Sequence, residues 1–169
     1  MGKDPSMGMT VPESISRAEN ATDDFFMALA LEEAKCAQEE GEVPIGCIIE
    51  LGGRVIAGAH NRPIALQDAT AHAEIQALRL AGKHLGNYRL TGATLYVTIE
   101  PCAMCAGAMV QARIKRLVYG ACDPKAGAID SLFKLGNDSR LNHQLEVRSS
   151  VLEEPCCLLM KEFFAKKRA

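Results

Sequence analysis

The chain has 169 residues, 48% of them hydrophobic, with 19 basic and 21 acidic side chains and a formal net charge of -2. This length fits one domain with a sizeable core, argues against intrinsic disorder, and gives no global sign of nucleic-acid binding, so any such surface has to be local. No apolar run reaches membrane-spanning length and the N-terminal stretch lacks an apolar signal-peptide core, which places the expected compartment in the cytoplasm; seven cysteines, an odd number, favour reduced thiols and metal ligands over a disulfide framework.

Residues 1–21 are polar, with no apolar period, and are expected to form a flexible arm in front of a single domain spanning 22–169. Thr22, followed by Asp23 and Asp24, reads as the N-cap of a helix that presents Phe25, Phe26, Leu29, Ala30, Cys36 and Ala37 and stops at Gly41. "IGCIIELGGRVIAGAH" predicts two short strands joined by a Gly52-Gly53 turn. Residues 61–70 are a predicted loop, with Thr70 capping a second helix that fades near Gly82. "ATLYVTI" has the continuous apolar character of a buried central strand, and Pro101 then suits the first position of a third helix. "RLVYGA" is the next strand; a glycine-containing loop, a strand around "LEVRSSVL" and a helix over 153–167 complete the chain. Strands alternating with helices of this length imply a three-layer α/β/α sandwich, a central mixed sheet of about five strands with helices on both faces. Sites in such sheets form at strand ends where helices begin.

Two motifs fall at such positions. "HAE" sets His72 and Glu74 two residues apart at a helix start, where side chains from different sides of the first turn converge only on a target off the end of the axis. "PCAMC" sets Cys102 and Cys105 on one helical face. Alone, this C-x-x-C could be a redox pair or half of a zinc ribbon; the chain has no second C-x-x-C, and a redox pair leaves the histidine and glutamate unexplained. His72, Cys102 and Cys105 together are three nitrogen and sulfur donors, a set that suits zinc and leaves one position for a water acidified by the metal. Glu74 is the nearby base for that water, although a carboxylate in a first turn is also what the helix dipole favours. Cys122, a loop thiol, could in principle close the site as a fourth ligand.

"HAE" followed by "PCAMC" resembles the signature of the zinc-dependent cytidine deaminase superfamily, for which the tRNA adenosine deaminases are themselves a reference case. The longer string "GAHNRPI…DATAHAEIQALR…NYRLTGATLYVTIEPCAMCAGAMVQARI…VYGACDPKAGA" is similar to bacterial tRNA-specific adenosine deaminases over about residues 24–167. The resemblance implies a cytidine deaminase-like fold, one Zn²⁺ per subunit on His72, Cys102 and Cys105, a proton shuttle at Glu74, and hydrolysis of the wobble adenosine of a tRNA anticodon stem-loop to inosine. It also implies a homodimer, a contact from Asn61 of "HNRP" to the flipped nucleotide, and Asp123 near the anticodon backbone. By the residues alone, Asn61 and Asp123 are equally well turn formers before prolines. Phe163 and Phe164, with basic residues around them, either stack on RNA or pack on the core. Two other functions stay open: a small-molecule deaminase of guanine or cytosine, and a non-catalytic, zinc-stabilised RNA-binding or deaminase-partner subunit. Glu74 speaks against the second, since such a subunit needs no proton shuttle.

Overall fold

Strands β1 (Gly46–Leu51), β3 (Thr94–Ile99) and β4 (Arg116–Ala121) are buried along almost their whole length. Strands covered on both faces require a helical layer on each side. The structure, a computed structural model, describes residues 13–169, with side chains from Thr22 onward. Side chains alternate across the sheet. Cys47, Ile49, Leu95, Val97, Leu117 and Tyr119 pack with Ala77 and Ala81 of α3 (Ala73–Leu85) and Met109 of α4 (Ala103–Gln111). Ile48, Tyr96 and Val118 pack on the opposite face with Phe26, Met27 and Ala30 of α1 (Glu13–Glu39) and Cys156 of α5 (Glu153–Arg168). The expected three-layer sandwich is therefore present, with a separate core on each side of the sheet.

The sheet has five strands in the order β2-β1-β3-β4-β5, where β2 is Arg54–His60 and β5 is Glu146–Arg148. β1 is antiparallel to both its neighbours, whereas β3, β4 and β5 run parallel, so the sheet is mixed as expected. Gly52 and Gly53 turn the hairpin with φ of 61° and 82°, a pair of positive values that glycine adopts without steric cost. The parallel β3–β4 pair needs a crossover, and α4 provides it. This puts the start of α4 at the C-terminal end of β3.

Several element boundaries differ from the sequence reading. α1 begins at Glu13, so Thr22 lies inside the helix and caps nothing; residues 13–21 contain no glycine or proline to stop a helix propagating through them. The rest of the expected arm, 1–12, lies outside the described residues. Thr70 does not cap either, because its N–H and hydroxyl both donate to Asp68 Oδ1, at 2.8 and 2.7 Å. The stretch before it holds a short helix, α2 (Pro63–Leu66), whose Ala65 N–H donates to the buried carboxylate of Glu42 at 2.8 Å. α3 continues past Gly82 to Leu85 and is closed by Gly86 in the left-handed conformation.

Asp23 is buried rather than displayed in a first turn. It accepts hydrogen bonds from the Tyr96 hydroxyl at 2.9 Å, from both terminal nitrogens of Arg116 at 2.7 Å, and from Arg148, tying α1 to β3, β4 and β5. Burial pushes its carboxyl upward, but the Arg116, Tyr96 and Arg148 donors outweigh it and hold the pKa below the usual 3.8. Asp23→Ala is expected to lower the urea-unfolding free energy at neutral pH by about 3 kcal/mol, the low end for a broken buried pair because both guanidiniums are partly solvated. With the folded pKa depressed, this contribution is complete above the unfolded value near 3.8 and disappears as pH falls through the folded one. Urea titrations from pH 6 down to 3 should therefore show the gap between the wild-type protein and the variant narrowing toward the acid end.

Candidate active site

His72 is the N-cap of α3 and Cys102 the N-cap of α4, both with extended backbone and neither capping its own helix with its side chain. Serine, threonine, aspartate or asparagine usually occupies an N-cap and binds the free N–H groups there. Here both side chains turn away from their helices and toward each other. Pro101 consequently precedes the N-cap instead of opening the helix, because Cys102 must take the extended conformation between strand and helix. The Sγ atoms of Cys102 and Cys105 each lie 3.6 Å from His72 Nδ1, and the three donor atoms fall within 4.8 Å of one another. Cys122 is outside this cluster, its Sγ 3.8 Å from the Tyr119 hydroxyl.

Glu74 occupies the second position of α3 and is 3% exposed. Its Oε2 accepts from the Cys105 thiol at 3.0 Å. Burial raises the Glu74 pKa above the usual 4.5, only partly offset by the Cys105 hydrogen bond, so this carboxyl can hold a proton that an exposed one would release. Cys102 is lowered to about 4, first by the hydrogen bond from Cys105 and then, against its burial, by His72. His72 is raised in turn by its hydrogen bond with Cys102, while Cys105, whose one thiol proton faces both Cys102 and Glu74, is raised by its contact with Cys102 and by burial. Four titratable side chains thus lie in mutual contact, Glu74 and Cys105 buried and His72 and Cys102 half-buried.

Asn61 is buried at the end of β2, and its Oδ1 accepts the Ala73 N–H at 2.8 Å. It therefore caps α3 in place of His72, which frees the histidine to face the cysteines. Asp123 stands apart from the cluster on the loop after β4, with Oδ1 accepting the N–H groups of Lys125 and Ala126 at 3.0 and 3.3 Å, the turn-forming arrangement its sequence context allowed.

Glu100 was not singled out by sequence reasoning. Buried at the end of β3, its Oε2 accepts the N–H groups of Ile129, Asp130 and Ser131 at 3.2, 3.1 and 3.1 Å, and its Oε1 accepts the Ser131 hydroxyl at 2.6 Å. A β-carbon on Gly127 would lie 2.2 Å from Glu100 Oε2, so only glycine lets the loop close this tightly. The Ala128 N–H to Pro101 carbonyl bond, 2.8 Å, fastens the same loop to the turn that carries Cys102. The available signal was a lone carboxylate closing an apolar run directly before "PC". Between this loop and α5 lies a cleft of about 730 Å³ lined by Ile99, Asp123, Lys125, Lys161, Phe164 and Arg168, among others. Phe163 packs inward and Phe164 is exposed.

A sandwich with a His–Cys–Cys cluster and an adjoining buried carboxylate at converging helix starts defines a nucleobase deaminase class of site, and the profile of the MafB19-like deaminases matches residues 21–168. The tRNA-specific adenosine deaminase of Bacillus subtilis is 49% identical over 146 residues, 86% of this chain and 91% of that one. That of Haemophilus influenzae is 50% identical over 147 residues, 86% of this chain and 85% of its own length. A structure from work on A-to-I editing by tRNA:A34 deaminases at the wobble position of transfer RNA superposes with a TM-score of 0.78 at 50% identity, covering 80% of this chain and 98% of that chain. The chain belongs to the family of the tRNA-specific adenosine deaminases.

Proposed function

We propose that this chain deaminates adenosine to inosine at the wobble position of a tRNA anticodon, hydrolytically and with one zinc ion per subunit held by His72, Cys102 and Cys105. The observation that carries the reading is the pair of helix starts that converge on three nitrogen and sulfur donors beside a buried carboxylate, in a chain half identical to enzymes of that name. The donors fit the ion. Zinc bonds of about 2.0 Å to nitrogen and 2.3 Å to sulfur at a tetrahedral angle put nitrogen and sulfur roughly 3.5 Å apart, and both His72–Cys separations are 3.6 Å. Bound there, zinc supplies a Lewis acid that activates the attacking water.

Glu74 manages the protons. Its Oε2 takes one from the water that adds at C6 of adenine and gives it up to the departing amino nitrogen, so that adenosine and water become inosine and ammonia. Burial suits it to both halves of that task by keeping its proton affinity high. Asn61 has its oxygen committed to Ala73, which leaves its amide N–H groups for acceptors on the target nucleotide. An unpaired loop base costs less to extrude into such a site than a paired one. Lys125, Lys161, Arg168 and the open face of Phe164 line a cleft suited to phosphates and bases flanking that nucleotide, with Asp123 at its edge. A homodimer in the cytoplasm completes the proposal; exposed Ile64 and Leu66 on α2 and Met104 on α4, elements next to the site, support a second copy packing there.

The test is to incubate the purified protein with an anticodon stem-loop carrying adenosine at the wobble position, and separately with free guanine and free cytosine, measuring inosine and ammonia. Inosine in the RNA is the expected product. Ammonia from the free bases alone would transfer the assignment to a small-molecule deaminase.

A further inference from the structure

Arg113 stands where helices usually place glycine. It follows the C-cap of α4 with φ +60°, its N–H and that of Ile114 closing the helix on the carbonyls of Val110 and Met109 at 3.2 Å each. Glycine dominates this position because a β-carbon is strained in the left-handed conformation. Strain of this kind persists where surrounding contacts fix it. Arg113 Nη1 donates to the Val110 carbonyl and to Asn142 Oδ1, both at 3.1 Å, which fixes its guanidinium on the wall of a cleft of about 460 Å³.

Arg89, Lys115 and His143 line the same cleft. His143 is oriented by the 2.6 Å contact between its Nε2 and the Ile114 carbonyl. Among the described residues the Lys115 ammonium has no protein partner, and Glu146, the one carboxylate of the lining, forms no ion pair with these cations. Three permanent positive charges thus face one hollow in a chain of net charge -2. Beside it, the guanidinium of Arg89 lies 5.5 Å from the ring centroid of Tyr88, whose side chain is largely exposed. The cleft opens at the N-terminal ends of β3 and β4, next to Thr91, Gly92 and Lys115, whereas Cys102 follows the other end of β3. A six-residue strand separates the two by about 20 Å.

We propose that this cleft is a second binding site, for the phosphate group of a nucleotide, with Arg89, Arg113 and Lys115 taking the oxyanion and Tyr88 offering a stacking face to the attached base. The phosphate can come from a free nucleotide or from RNA backbone outside the anticodon loop. Wild-type protein, R89A/K115A and R113G are titrated calorimetrically with inorganic phosphate and 5′-UMP, and by filter binding with full-length tRNA and the anticodon stem-loop at low and high salt. Both variants should weaken binding of at least one phosphate-bearing probe by roughly tenfold at low salt. R113G should also raise Tm, since glycine relieves the strain, which separates loss of binding from loss of fold. A defect with 5′-UMP identifies a free nucleotide, and one confined to full-length tRNA identifies distant RNA backbone. Turnover of the stem-loop should stay at the wild-type level in both, so failure of the deaminase assignment would show there and not in the titrations. Unaltered binding of every probe by either variant overturns the proposal.

Discussion

Glu74→Ala is expected to cost at least 10²- to 10⁴-fold in turnover of the wobble adenosine, roughly the range of a lost general acid–base group, while zinc content stays near one ion per subunit. The separation follows from the geometry. Glu74 contributes no atom to the three-donor cluster, and it touches that cluster only as acceptor of the Cys105 hydrogen bond. Removing it deletes the proton carrier and leaves every proposed ligand in place. Glu74→Gln, which fills the same space, should be as inactive as alanine, because an amide neither accepts the water's proton nor returns one. Elemental analysis and single-turnover kinetics on the same preparations check both halves, and a fully active alanine variant removes the shuttle from the mechanism.

Cys102→Ser is expected to lose the metal and, with it, nearly all turnover. A serine hydroxyl is a poor zinc ligand at neutral pH, whereas Cys102 is already lowered to about 4 and offers a thiolate. The substitution also places a favoured capping residue at the N-cap of α4, so that helix should be no less stable than in the zinc-free parent. A Tm matching that of chelator-treated wild-type protein, together with absent zinc, therefore assigns the loss to coordination and not to misfolding. Cys122→Ser, outside the cluster, should retain zinc. Stoichiometric zinc in the Cys102→Ser protein would mean the ion is held by other donors.

The candidate donor cluster was legible because it is local. "HAE" and "PCAMC" each compress their donors into one helical turn, so spacing alone brought Cys102 near Cys105 and His72 near Glu74. The strands were equally legible, since "ATLYVTI" and "RLVYGA" are apolar on both faces and only a doubly covered sheet hides them. Helix ends were read less well. Thr22, Thr70 and Pro101 all carry signals for a first turn, and each lost to a competing demand on the backbone: a helix already propagating from Glu13, a hydrogen bond to Asp68, and the need for Cys102 to be extended.

By itself, then, the amino-acid order determined the layer architecture and grouped the candidate donors into short motifs, because periodicity and short spacing are properties of the chain before it folds. Tertiary structure alone decided how those side chains are aimed. Asn61 became the cap that releases His72, Glu100 the anchor that closes the loop beside Cys102, Asp23 the buried tie between α1 and three strands, and Arg113 a strained wall of a distant cationic cleft. Each of these depends on partners far away along the chain, and a hydrogen bond between remote residues leaves no periodic trace in the sequence that makes it.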